Sequence, residues 1–303
     1  MSAAENSRST TSPLLRLDGV HVHVPSSSRS LTEVVRGVTF TVEKGGSVGL
    51  VGESGSGKSM TSLAIMGLLP KGSRIDGEIS MEGTDLVHAS RSTLRSLRGD
   101  RIAMIFQDPL SSLNPYFTVG EQIAEAYRAH NKATRKEALE LAADAMARVG
   151  IPRVSETIHQ YPHQFSGGMR QRIMIAMALV CQPDLVIADE PTTALDVTVQ
   201  ARVLDLIRSL QDETGAGLIF ITHDLAVVST MAQDVVVMQN GAVQEQGRTR
   251  EVFTAPQSEY TQKLLAATPR MSDGRLSAST RTTGGARSRD PWEGAGHGSH
   301  RAD

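Results

Sequence analysis

Short runs of apolar and β-branched residues recur along the chain, and stretches with helical spacing separate several of them. Ser47–Val51, Ile102–Phe106, Leu185–Ala188, Leu218–Thr222 and Val235–Met238 are near-continuous in such residues. Runs of this length without polar alternation suit strands covered on both faces. Lys58–Leu69, Val197–Leu210 and Leu225–Met231 carry helical spacing and predict helices between the strands. The alternation predicts an α/β domain with a largely parallel sheet. From Glu121 to Leu179 the pattern changes to Ala, Met and Arg with helical periodicity and no strand, which predicts a helical insertion. Within it, Lys132–Val149 sets alternating charges on one side and Ala, Leu and Met on the other, as a surface helix packed on its neighbours does.

The two ends differ from this middle. Residues 1–12 are rich in Ser, Thr and Ala, and 271–303 in Gly, Ser, Arg and Thr, so both are expected to lack fixed structure, with Trp292 an incidental exposed residue. Met1–Ser12 lacks the apolar block of a secretory signal, and no run of about 18 apolar residues predicts a membrane span. Cys181 is the single cysteine, which excludes an intramolecular disulfide and a cysteine-rich metal site, and fits a reducing cytosol. A formal net charge of -2 gives no bulk attraction to nucleic acid or anionic lipid, so any partner is recognised locally.

Candidate chemistry sharpens this outline. Gly52-Glu53-Ser54-Gly55-Ser56-Gly57-Lys58-Ser59 follows an apolar run and opens a helical segment, which is the strand-to-helix setting a phosphate-binding loop requires. Glycines let several backbone N–H groups curve in on phosphate oxygens, and the helix adds its positive end. Lys58 supplies a point charge to the terminal phosphates and Ser59 a hydroxyl to Mg²⁺. Leu185–Ala188 runs into Asp189 and Glu190. A strand-end acid pair alone is most simply a solvated turn; beside a phosphate loop, Asp189 is expected to hold Mg²⁺ and Glu190 to polarise the attacking water.

Phe165-Ser166-Gly167-Gly168-Met169-Arg170-Gln171-Arg172 precedes the acid-ending strand, and this order resembles the signature motif of ABC (ATP-binding cassette) ATPases. Gln107 stands at the Q-loop position, Thr193-Ala194-Leu195-Asp196 at the D-loop and Thr222-His223-Asp224 at the switch histidine. The resemblance covers roughly residues 14–269. It implies a P-loop NTPase (RecA-like) parallel-sheet core, an antiparallel β N-terminal subdomain and a helical insertion at about 108–182, within a domain spanning 13–270. ATP and Mg²⁺ are the implied cofactors. The implied nucleotide set is Gly52 to Ser59 with Met60, plus Ser166, Gly167, Gly168 and Asp196; Gln107 joins Ser59 and Asp189 near the metal, and Glu190, His223 and Gln107 serve hydrolysis.

Three segments resemble the peptide and nickel importer branch: Gln107–Pro115, Tyr161–Met169 and Glu259–Leu265, the last in an extension at about 246–270. That likeness implies two membrane permeases, a second ATPase that is a paralogue or a copy of this chain, and indirectly an extracytoplasmic solute-binding protein. It places the chain on the cytoplasmic face of the membrane and implies no nucleic acid partner. Di- or oligopeptide import is the expected task; import of nickel or another small solute, an exporter and a non-transport ABC ATPase are the alternatives. Two features depart from the family. Val24 stands where an aromatic usually stacks on adenine, with His23 beside it, and the cysteine cluster many branch members carry near the C-terminus is missing. In relatives of this kind each ATP lies between one P-loop and the other subunit's signature, so a chain with one of each is expected to pair.

Overall fold

A computed structural model describes residues 12–26, 30–108, 112–193 and 195–267. The expected tails, apart from Ser12, lie outside the described residues with Trp292, as do Pro109, Leu110 and Ser111 of the importer-like segment and Ala194 of the D-loop. Residues up to Pro269 form one unit, and Arg270–Asp303 a second that falls outside the description.

Two sheets make the scaffold. In the six-stranded sheet the order is β10 (Ala242–Arg248), β9 (Asp234–Gln239), β3 (Ser47–Val51), β8 (Gly217–Thr222), β7 (Leu185–Asp189), β6 (Ile102–Ile105). Every neighbouring pair is parallel except β9 with β10, so the parallel core carries an antiparallel edge. The four-stranded sheet has the order β2 (Leu31–Val42), β1 (Leu15–Pro25), β4 (Arg74–Met81), β5 (Thr84–Asp85) and is antiparallel throughout.

Strand alternation sends successive residues to opposite layers. Leu185 and Ile187 of β7, with Ile219 and Ile221 of β8, share a core with Leu15, Leu17, Val38 and Ile79 of the antiparallel sheet. Val186 and Ala188, with Leu218 and Phe220, face the helical insertion instead and pack with Ile123, Ala142, Met146 and Ile173. A third cluster joins Val51, Val228, Val235 and Val237 to Val252 and Tyr260 of the C-terminal helices.

The insertion holds helices Val119–Arg128, Arg135–Arg148, Val154–Thr157 and Gly167–Leu179. Arg135–Arg148 starts on a reciprocal capping box between Thr134 and Glu137, and buries Ala138, Ala142 and Met146 at four-residue steps. The helix expected over Lys58–Leu69 ends at Ile65. Gly67 turns left-handed at φ +60°, and Leu68 N–H reaches back to Leu63 O at 2.8 Å, a glycine-closed helix end. The helix expected to end at Leu210 continues to Thr214 and stops where Gly215 adopts φ +67°.

Candidate nucleotide and hydrolysis site

The parallel strands β3, β7 and β8 end at one edge, so the segments that follow them meet there. Together with Val34 of β2 and Gln107 after β6, they line a cleft of about 720 Å³ through Glu53, Ser54, Gly55, Ser56, Gly57, Lys58, Ser59, Met60, Glu190 and His223. All but Val34 belong to the set singled out in the sequence.

The loop after β3 is built on its glycines. Gly52 adopts φ +148°, and a Cβ there would sit 2.1 Å from Met238 O. Gly57 adopts φ +102°, and a Cβ would lie 2.8 Å from Val34 O. Gly57 is also the N-cap of helix Lys58–Ile65 and provides no side-chain cap. The first N–H groups of that helix therefore face the cleft without a side-chain acceptor, as an anion site needs.

Lys58 is 5% exposed, and its ammonium donates to Gly52 O at 2.7 Å, Glu53 O at 2.9 Å and Ser56 Oγ at 3.3 Å. Burial holds its pKa below the ordinary lysine value, while Glu190 and Asp189 act in the opposite direction. Ser59 Oγ lies 3.3 Å from Asp189 Oδ1. Burial raises the Asp189 pKa, Ser59 and Lys58 counter it, and Glu190 adds to it. A desolvated carboxylate beside a second carboxylate and a hydroxyl is a set of hard oxygen donors, which fits Mg²⁺.

Glu190 stands at φ +47°, a left-handed conformation that costs a non-glycine residue about 1–2 kcal/mol. Its neighbours over-determine that placement. Its N–H donates to Ile221 O at 2.9 Å. Its Oε2 accepts from Thr193 Oγ1 at 2.7 Å and Gln107 Nε2 at 3.3 Å, and Oε1 faces His223 Nδ1 at 3.3 Å. The carboxylate is thus oriented by three groups from three separate segments, while His223 remains 61% exposed at the cleft mouth.

Ser166, Gly167, Gly168 and Asp196 do not line this cleft. Ser166 caps helix Gly167–Leu179 by accepting from Met169 N–H at 3.4 Å, and both Ser166 and Gly167 are exposed. A Cβ on Gly167 would meet nothing within 4 Å, so the start of that helix is open to close approach. Asp196 caps helix Val197–Thr214 through Thr198 and Val199 N–H at 3.1 and 3.0 Å. His23 does not line the cleft either. Its ring lies between Glu33 at 3.9 Å and Asp76 at 3.6 Å, and the apolar side chains at the cleft are Val34 of β2 and Met60. Val34, one residue within an alternating edge strand, carries no signal in the sequence, and Thr193 stands out there only as part of the D-loop motif.

Residues 35–193 match the ABC transporter family. The dipeptide transport ATP-binding protein of Bacillus subtilis is 48% identical over 260 residues, covering 85% of this chain and 77% of that one. The chain belongs to the ABC transporter family. The glutathione import ATP-binding protein of Escherichia coli O1:K1 is 50% identical over 244 residues, 78% of this chain and 39% of that longer protein. A solved Clostridium perfringens protein, part of an ABC transporter complex, aligns with a TM-score of 0.67 at 27% identity over 80% of this chain and 91% of that one. The fold is that of an ABC ATPase cassette, and the chain is an ATP-binding, ATP-hydrolysing ABC transporter subunit whose partners are membrane permeases. Among the described residues no helix is long and apolar enough to cross a membrane.

Proposed function

We propose that this chain hydrolyses ATP with Mg²⁺ as one half of a cassette pair and so powers import of small peptides. The observation that carries the pairing is the split site: the phosphate loop, Glu190, Gln107 and His223 share a cleft, and exposed Ser166 and Gly167 present an open helix start outside it. Two cassettes set head to tail would bring each exposed helix N-terminus, with its partial positive charge, to the γ-phosphate held by the other. The second cassette is a paralogue or another copy of this chain.

Within one cleft, Gly55 to Met60 offer backbone N–H groups and the Lys58 ammonium to the phosphates. Glu190 accepts a proton from the attacking water while Thr193 and Gln107 keep its carboxylate aimed. His223 contacts the γ-phosphate from the mouth. Mg²⁺, held by Ser59 and Asp189 with Gln107 nearby, would neutralise charge on the phosphate oxygens. A groove lined by Met66, Met104, Phe106, Met174 and Met177 lies between core and insertion next to Gln107, and suits a permease's cytoplasmic helix. That docking would make the chain peripheral to the cytoplasmic face of the membrane. An extracytoplasmic solute-binding protein would act through the permeases. Peptide cargo is favoured because the dipeptide and glutathione importers are about half identical to this chain.

Asp189→Asn tests the metal reading. Because burial sets the folded pKa above the ordinary 3.8, the stability contribution of Asp189 is complete below that value and is lost as pH rises through the raised pKa. At neutral pH its ionised form is a cost that a bound cation relieves. The variant without nucleotide should melt higher than the parent, while Mg²⁺-dependent ATP turnover falls by at least about a hundredfold. Turnover near the parent's would remove Asp189 from the metal site.

A further inference from the structure

Helix Glu259–Ala267 contributes nothing to the cleft lining, yet it touches the phosphate loop. Tyr260 is 9% exposed and packs in one cluster with Val51, the last residue of β3. Its hydroxyl accepts a hydrogen bond from Glu53 N–H at 3.2 Å, across 207 positions of sequence. The peptide unit joining Gly52 to Glu53 is thereby held on both sides. Its N–H meets Tyr260, and its carbonyl, Gly52 O, takes the Lys58 ammonium at 2.7 Å. Gly52 has no side chain to hold the unit in place, and Met238 O forbids one.

We propose that Tyr260 is a positioning residue for ATP binding: its hydroxyl fixes the Gly52–Glu53 peptide plane, so that docking of the C-terminal helix sets the phosphate loop's grip on the triphosphate. The inference rests on Gly52–Ser59 being the phosphate site. Released from Tyr260, that peptide unit is free to rotate, which turns Gly52 O away from Lys58 and lowers the fraction of loop conformations able to bind. Apparent affinity falls by that fraction. The helix has its own seat, independent of the loop: Glu245 of β10 accepts from Gln257 N–H at 2.8 Å and Ser258 N–H at 3.1 Å, just ahead of the helix start. Leu264 and Leu265 then pack on the same cluster as Tyr260. Whatever loosens residues 245–265 therefore reaches the nucleotide without touching it.

The test is full-length Tyr260→Phe, which keeps the ring and removes the acceptor. Glu53 is exposed, so water can satisfy its N–H, and the melting temperature of the nucleotide-free variant should move by less than about 2 °C. Calorimetry with Mg²⁺ and a non-hydrolysable ATP analogue should show Kd raised about three- to tenfold, the range one hydrogen bond commands. Steady-state turnover should show KM raised with kcat held. Glu245→Gln, which weakens the seat of the helix, should shift Kd in the same direction. Equal Kd for Tyr260→Phe and the parent would overturn the inference, as would a loss of kcat at unchanged KM, which marks a merely structural role. If the parent itself fails to bind the analogue, it is the phosphate-site reading that fails.

Discussion

Glu190→Gln lowers ATP turnover by about a thousandfold and leaves ATP bound, the middle of the range for removing a general base. The amide has the shape of the carboxylate, so the cleft keeps its lining, and one retained oxygen at the Oε2 position still accepts from both the Thr193 hydroxyl at 2.7 Å and Gln107 Nε2 at 3.3 Å. What is lost is the negative charge and the lone pair able to take a proton from water. Nucleotide binding should hold or tighten, because Glu190 brings negative charge to a cleft that must receive a polyanion. Single-turnover hydrolysis and calorimetry on the same preparation separate the two effects. Hydrolysis close to the parent's would take the base assignment away from Glu190.

Lys58→Ala is expected to act on binding instead, lowering ATP affinity about a hundredfold, roughly 3 kcal/mol, as for loss of a charged hydrogen-bonding group. Its ammonium is buried and donates to Gly52 O, Glu53 O and Ser56 Oγ, and it is the cation that partly offsets Asp189 and Glu190. Removing it strips donors from two loop carbonyls and leaves the acid pair less compensated. The loop loses the charge proposed to meet the phosphates and part of its shape. Calorimetric titration with ATP reads the result directly, and an unchanged affinity would refute the role given to Lys58.

How far the sequence disclosed all this depends on how local each signal is. β3, β7 and β8 are covered on both faces, so they read as unbroken apolar runs. The phosphate loop lies within one stretch of eight residues whose glycines the backbone demands. β4 was not visible, because only Ile79 and Met81 of its eight residues are buried and Gly77 interrupts it where it closes on Gly19. β2 and β10 are half-exposed in the same way. Contacts between distant segments left no local mark: Val34 at the cleft and Tyr260 on Glu53 each join elements whose proximity only the folded chain creates. His23 illustrates the converse. Its position beside Val24 invited a role at adenine, and the fold sets its ring between Glu33 and Asp76 on the antiparallel sheet.

Ser166–Gly168 stand outside the cleft that holds Lys58, Gln107, Glu190 and His223. Under the proposed pairing, the cassette borrows the rest of its phosphate shell from the Ser166–Gly168 segment of a neighbour, and its rate then depends on how often a neighbour is there. ATP turnover per chain, measured across a dilution series that spans association and with oligomeric state followed in parallel, puts this to the most direct test. The predicted result is a specific rate that falls toward zero as pairs dissociate and recovers when a cassette partner is added back. A specific rate that stays at full value in samples containing only monomer would contradict it.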